Sequence, residues 1–354
     1  MICETFASRT ARLGRANGFD GLRLALALGI ATFHSFTIAT GGTDGMPPAL
    51  QAAGRLILPA FFAISGYLVS ASLARCATVR EFLILRLLRI MPALCVVVSA
   101  SALLLGPMLT DLPLRLYFGD PGLPVYFRNI VMQFHFALPG LFMTNPRPFV
   151  VNGSLWTLPV ETICYGLLAG LAMMLRGRKL LTALSALTLL LLFPLLPFVG
   201  LLLAWLPAKE LVLAFCGGTL LFLCARRVPY SAPAGVVSLC GAFLLACDPA
   251  MMGWASILLS YGTIWLAMRR IPAALTRADY SYGVYLTAYP LEQAWMRLCP
   301  GCGVWWADLL FAMPLAMIAA AVLWHGVEKP LLSRKHEIIA RMAFPPARTA
   351  SLRD

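Results

Sequence analysis

Apolar stretches of about twenty residues, long enough to cross a bilayer as a helix, recur from one end of the chain to the other. Short polar breaks rich in Lys and Arg separate them. The pattern predicts an all-α polytopic membrane protein with about ten spanning helices. They fall at roughly 20–40, 54–74, 83–106 and 154–175, with two each in 180–225, 231–268 and 279–325. Every second break is basic. Arg9, Arg12 and Arg15 precede the first helix, and Arg75 and Arg80 follow the second. Arg176, Arg178 and Lys179 follow the fourth, and Arg226 and Arg227 the sixth. Arg269, Arg270 and Arg277 follow the eighth, and Lys329, Arg334 and Lys335 come last. Ten helices put all of these on one side, which the positive-inside rule makes cytoplasmic, along with both termini. An eleventh would strand one basic cluster outside. The weakest break is the one between helices 5 and 6, blurred by Pro194, Pro197 and Pro207.

Segment 107–153 departs from this rhythm. It contains LYFGDPGLPVYFRNIVMQFHFALPG, too polar and too broken by proline to span. Short interfacial or re-entrant helices packed over the outer end of the bundle are expected there. Its aromatic residues suit either an anchor in the outer leaflet or a stacking surface for a sugar. The chain therefore divides into a cytoplasmic segment 1–17, a membrane domain 18–333 and a cytoplasmic tail 334–354.

Composition sharpens this picture in two places. Of 354 residues 60% are hydrophobic and 12% charged, about half the charged share of soluble domains. The net charge of +13 would suggest a nucleic-acid partner in a soluble chain; here membrane orientation accounts for it, and no nucleic acid is expected. The 10 cysteines lie mostly inside apolar runs, where the thiol packs as a small hydrophobe. Only Cys299 and Cys302, in CPGC, are close enough for a loop disulfide, with two free thiols as the alternative. No metal-ligand spacing is present, and no metal is expected.

The chemistry is expected where charge enters the apolar runs, because ionisable groups at membrane depth are costly. Arg23 and His34 stand 11 residues apart in the first long run, about 16 Å along a helix and on one face of it. In NGSLWTLPVE, Glu161 falls about 10 Å below the outer end of its helix, close to the depth of His34. An imidazole and a carboxylate at one depth can act as a base and its orienting partner. On the inner side Arg86 and Arg89, one turn apart, could join Arg75, Arg80 and Arg23 in a phosphate-gripping pocket, although topology alone also explains them. Ser65 and Gly66, in FFAISGYL, allow close helix approach. No nucleophile elbow surrounds Ser65, which argues against a nucleophilic role.

Taken together, in order and spacing, these segments resemble the membrane-bound acyltransferase family 3. The residues concerned are FDGLRLALALGIATFH, with Arg23 and His34; FFAISGYL; RLLRIMPAL, with Arg86 and Arg89; NGSLWTLPVE, from Asn152 to Glu161; DYSYGVYLTAYP, from Asp279; and VEKP, from Val327. The resemblance covers about residues 18–333. Two positions depart from the family pattern: Ala288 stands where a histidine is common, and Thr162 follows Glu161 where a second acid often does. The resemblance implies a bacterial cytoplasmic-membrane O-acyltransferase, most often an O-acetyltransferase. It would use acyl-coenzyme A and act on a hydroxyl of a cell-surface or lipid-linked carbohydrate, such as the O-antigen of lipopolysaccharide. It places His34, Glu161 and Arg23 in catalysis and Arg86, Arg89 and Arg75 on the phosphates of coenzyme A. Trp156, Ser154, Asn152 and Tyr285 would hold substrate. Both direct transfer and an acyl-enzyme relay fit these residues. A transporter or flippase for a lipid-linked glycan or small molecule is the rival reading, because it too needs buried ionisable groups.

Overall fold

In the computed structural model the described residues are 4–14, 18–175, 178–192, 208–269 and 278–342, and every regular element of secondary structure among them is a helix. Their only β-type pairing is an isolated antiparallel bridge between Thr5 and Pro229. A short amphipathic α1 (Phe6–Leu13) precedes the long α2 (Phe19–Thr40), α3 (Pro48–Leu73) and α4 (Val79–Ala100). After α4 the chain runs through one π turn at Ser101–Leu105 into α5 (Gly106–Leu109). Short α6 (Leu114–Gly119) and α7 (Gly122–Tyr126) come next, followed by a 3-10 turn at Phe127–Val131 and irregular chain to Asn152. The second half holds α8 (Thr157–Met174), α9 (Arg178–Leu192), α10 (Lys209–Leu223), α11 (Ala232–Ala246), α12 (Met252–Ala267), α13 (Ser281–Leu298) and α14 (Trp305–Leu323). A second π turn at Trp324–Glu328 leads into α15 (Lys329–Ser333) and α16 (Lys335–Met342).

Six helical stretches among the described residues are long and apolar enough to cross a membrane: Phe19–Thr40, Pro48–Leu73, Val79–Leu109, Gly153–Met174, Pro249–Ala267 and Trp305–Ser333. The chain is a multi-pass membrane protein. Three of the other expected segments form helices of only 15 residues, α9, α10 and α11. The fourth, α13, has 18 residues but carries Glu292, Gln293 and Arg297. The break marked by Pro194, Pro197 and Pro207 lies outside the described residues, as do Arg15, Arg176, Arg270 and Arg277.

Large apolar side chains such as Leu104, Val237, Leu244, Leu310 and Ile318 stay exposed on the helix surfaces, as lipid-facing positions should. Inside, packing relies on small residues that let backbones approach. The closest example joins α3 to α10. A Cβ on Gly66 would overlap the carbonyl of Phe215, and one on Gly218 would overlap the carbonyl of Ala63. The Gly66 carbonyl accepts from Ser70 Oγ at 2.6 Å and from Thr219 Oγ1 at 3.3 Å. The α3 backbone beside Ser65 is thereby fixed.

Segment 107–153 folds back onto the helices. Tyr117, Tyr126, Leu141, Phe142 and Val151 are buried and belong to the same apolar core as Ala93, Leu94, Val97 and Val98 of α4. Side-chain amides tie it to α13. Asn145 Nδ2 donates to the carbonyl and Oε1 of Gln293 at 2.9 and 2.7 Å. Gln293 Nε2 donates to the carbonyls of Arg147 and Val150, both at 2.8 Å.

Candidate active site

Two cavities lie among the helices. The first, about 110 Å³, is lined by Arg23, Arg86, Arg89, Ser65, Glu161 and Tyr165, with Phe61, Phe62, Tyr282 and Tyr285 among its apolar walls. The second, about 610 Å³, is lined by His34, Phe33, Phe136, Arg147, Trp156 and Tyr289, with Thr37 and Asp44 at its edge.

In the first cavity Glu161 is held by two hydroxyls. Ser65 Oγ donates to its Oε1 at 3.0 Å, and Tyr165, one turn along α8, donates to the same oxygen. Ser65 and Tyr165 are 3.4 Å apart. Arg86 donates from Nη2 to Ser72 Oγ at 3.2 Å, while its buried Nε has no hydrogen-bond partner within the protein. The third cation, Arg89, forms ion pairs with Asp279 and with Glu328. Arg23 Nη1 meets the same Asp279 oxygen at 2.5 Å. The other oxygen of Asp279 accepts from the Ser281 hydroxyl at 2.5 Å and its backbone N–H at 3.3 Å, fixing the start of α13. The Arg23 and Arg89 guanidinium groups both bring positive charge onto this one partly buried carboxylate. One carboxylate thus fastens α2 and α4 to the head of α13, and Glu328 adds the end of the second π turn.

In the second cavity the imidazole of His34 lies edge-on to Tyr289, with ring centroids 4.9 Å apart. Arg147 reaches across from segment 107–153 and donates to the Gly41 carbonyl at 3.3 Å. Trp156 lines this space, and its neighbour Thr157 lines the other. The same switch happens along α13: Tyr285 faces the first cavity, and Tyr289, one turn on, faces the second. Tyr285 and Thr157 share a hydrogen bond of 2.5 Å, and Tyr285 donates to the Ser154 carbonyl at 2.8 Å. This pair of hydroxyls stands in the partition between the cavities.

The structure brings some of the expected residues together and separates others. Arg23, Arg86 and Arg89 share one cavity with Glu161; Arg75 is exposed and lines neither cavity. Arg23 and His34 do share one face of α2, turned toward α13: one reaches Asp279, the other Tyr289. The expected pairing of His34 with Glu161 is not made. Helical rise fixed their depth but not their direction: α8 turns Glu161 toward Ser65 on α3, while α2 turns His34 into the other cavity. Asn152 and Ser154, expected to hold substrate, are buried in the turn that starts α8. Asn152 Oδ1 accepts from the Ser154 N–H at 3.1 Å, and its Nδ2 donates to the Leu286 carbonyl at 2.8 Å. Their visible work is to aim Trp156 and Tyr285 at the cavities. Sequence reasoning gave no role to Asp279, although its place beside a helix start and between two basic runs was the available signal.

Ala288, where the family commonly has histidine, is buried against Ala31 and Ala316. This three-alanine contact of α2, α13 and α14 leaves no room for an imidazole. Among the described residues no three His, Cys, Asp or Glu side chains are grouped to hold a metal ion. The CPGC pair falls on Cys302, whose side chain lies outside the described residues.

A family model described as an acyltransferase domain, that of acyltransferase family 3, matches residues 16–325. The chain belongs to the acyltransferase 3 family. It is also similar to an O-acetyl transferase of Shigella phage Sf6, 27% identical over 336 residues, which cover 90% of this chain and 97% of that protein. No solved structure matches the chain. In this membrane-embedded acyltransferase the motif segments converge on the two cavities. FFAISGYL supplies Ser65, RLLRI the cations, NGSLWTLPVE both Trp156 and Glu161, and VEKP the buried Glu328 that pairs with Arg89.

Proposed function

We propose that this acyltransferase moves an acetyl group from acetyl-coenzyme A to a hydroxyl of a cell-surface or lipid-linked carbohydrate, of the O-antigen kind. The observation that carries the reading is the first cavity, where three guanidinium groups stand beside a hydroxyl and a carboxylate. Of the three, Arg86 has an N–H with no partner in the protein, so an anionic donor group satisfies it. Guanidinium forks bind phosphate oxygens in this manner. The resemblance to a phage O-acetyl transferase supports the acyl group and the oxygen acceptor.

The donor enters from the end of the bundle that carries Arg86 and Arg89, read as the cytoplasmic side. Ten spans with both termini on that side, in the bacterial inner membrane, complete this topology. The acceptor enters the wider cavity from the opposite side. There Trp156, Phe136 and Tyr289 offer aromatic faces to a sugar ring, and His34 takes the proton of the attacking hydroxyl as general base. Arg23 holds the architecture of the donor end through Asp279.

The test uses the purified protein in nanodiscs, radiolabelled acetyl-coenzyme A and a membrane glycan extract. Label transferred to carbohydrate, and lost on His34→Ala without loss of the folded protein, is the expected result. No thioester cleavage with or without glycan would overturn the reading and favour a transporter. Transfer retained by His34→Ala would remove His34 from the chemistry.

A further inference from the structure

We infer that Ser65 is the nucleophile of an acyl-enzyme relay, taking the acyl group from the donor as an oxygen ester, with Glu161 as its base. This deepens the proposed function and rests on it. The two candidate bases are separated. His34 lines the wide cavity and Glu161 the arginine-lined one. A single base serving direct attack would have to reach acceptor hydroxyl and thioester in one space. Two bases in separate spaces fit two half-reactions: the first is served within the arginine cavity, and in the second the acceptor hydroxyl reaches the Ser65 ester past the Tyr285–Thr157 pair.

The first cavity holds a nucleophile and a base in contact. Ser65 Oγ lies 3.0 Å from Glu161 Oε1, within the reach required for proton abstraction. Tyr165 donates to the same oxygen and so orients the carboxylate, the part a third group plays in an activated nucleophile. Of the two hydroxyls Ser65 is the better nucleophile by position. Ser65 is half-buried and faces the cavity, whereas Tyr165 is only 6% exposed. Its backbone is also fixed, because Gly66 and Gly218 seat α3 directly against α10. The sequence-level objection, the missing nucleophile elbow, concerns a strand-to-helix turn that an all-helical protein has no use for. Here a glycine contact between helices supplies the rigidity instead.

The step balances as follows. The Ser65 hydroxyl proton passes to the Glu161 carboxylate as Oγ attacks the thioester carbonyl carbon. The carbon–sulfur bond breaks, and the departing thiolate of coenzyme A takes the proton from Glu161. Ser65 is left acylated and Glu161 ionised. In the second half an acceptor hydroxyl attacks that ester, the carbon–oxygen bond to Ser65 breaks, and the acceptor proton, taken first by His34, ends on Ser65 Oγ. No oxidant, reductant or metal is needed.

The test is single-turnover labelling of the full-length protein in nanodiscs with radiolabelled acetyl-coenzyme A and no acceptor, followed by peptide mapping. The expected result is a burst of about one coenzyme A per protein, with label on the peptide containing Ser65 and chased off by glycan extract. Ser65→Ala should lose both burst and label. Ser65→Cys should keep the label as a thioester, cleaved by neutral hydroxylamine that leaves the serine ester intact; a purely structural serine would not produce that change of lability. Tyr165→Phe, which loses the hydroxyl that orients Glu161, should label more slowly but on the same Ser65 peptide. Acceptor-dependent turnover with no label in the wild type, or label that survives Ser65→Ala, would overturn the relay while the proposed function stands. If the wild type cleaves no thioester with acceptor present, the proposed function fails and the relay with it.

Discussion

The two cavities of this acyltransferase are built on opposite plans. The arginine-lined cavity is about 110 Å³ and nearly every charged group in it is engaged: Arg89 by Asp279 and Glu328, Arg23 by Asp279, Glu161 by Ser65 and Tyr165. The His34 cavity is about 610 Å³, and Phe33, Phe136, Trp156 and Tyr289 give its wall four aromatic faces beside Arg147 and Asp44. A preset, close-fitting charged site suits one invariant donor, because its dipoles are already oriented when the ligand arrives. A wide aromatic chamber suits acceptors that differ in outline, since stacking against a ring face demands less exact geometry than paired hydrogen bonds. Under the proposed function the invariant and the variable halves of the reaction would have separate rooms, with the Tyr285–Thr157 pair between them.

The comparison breaks most visibly at the two bases. His34→Ala should cut transfer to carbohydrate by about 10²–10⁴-fold, the usual worth of a general base. It should leave the donor burst untouched, because His34 does not line the donor cavity. Glu161→Gln should slow both the burst and the transfer. Burst amplitude and transfer rate, measured on one preparation, separate the two variants. A His34 variant that also lost the burst would mean that the two cavities work as one.

The next largest effect concerns stability. Asp279→Ala leaves Arg23 and Arg89 facing one another, with Glu328 on Arg89 and the nearby Asp20 as the remaining acidic groups. Breaking a buried ion pair by removing one partner costs about 3–5 kcal/mol. The variant should unfold at clearly lower temperature in detergent, whereas Arg147→Ala, on the exposed lip of the wide cavity, should not. Equal midpoints for the two would show that the ion-paired end is no more preset than the aromatic one.

Gly66→Ala tests the packing that holds Ser65. The new methyl overlaps the Phe215 carbonyl, backbone that can yield only by parting α3 from α10. Overpacking of this kind costs about 1–3 kcal/mol. Donor turnover should fall more than stability suggests, because the shift moves Ser65 away from Glu161, and glycan binding in the other cavity should be unaffected.

Much of this was legible in the sequence, and the misses share one cause. Apolar run length located the helices, and the cost of charge at depth singled out Arg23, His34 and Glu161. Depth could be counted along each helix at 1.5 Å per residue. Rotation about the axis could be related only within a helix, which is why the shared face of Arg23 and His34 emerged and the pairing of His34 with Glu161 did not. Asn152 and Ser154 belong to a motif that carries two kinds of work. They build the turn while Glu161 lines the arginine cavity, and no spacing rule separates a turn-former from a cavity-lining group. Gly66 could be recognised as a close-approach residue, but its partner Phe215, like the contact of Gly218 with Ala63, belongs to an encounter between α3 and α10 that no local pattern encodes.

The smallest predicted effect bears on the wall itself. Tyr285→Phe removes the hydroxyl that joins Thr157 at 2.5 Å and the Ser154 carbonyl at 2.8 Å, but keeps the ring that packs against Phe61 at a centroid distance of 6.1 Å. Such a hydrogen bond contributes about 0.5–1.5 kcal/mol, so folding should be nearly intact. If the partition is a fixed wall, the burst and the transfer should fall together and by little, about tenfold at most. If it opens for the acyl group to meet the acceptor, loosening it should raise the rate at which glycan chases the label while the burst keeps its size. It should also raise the slow loss of label to water, because the ester is then less well shielded. A chase unchanged by Tyr285→Phe would mean the two rooms communicate by another route, past Trp156 and Tyr289.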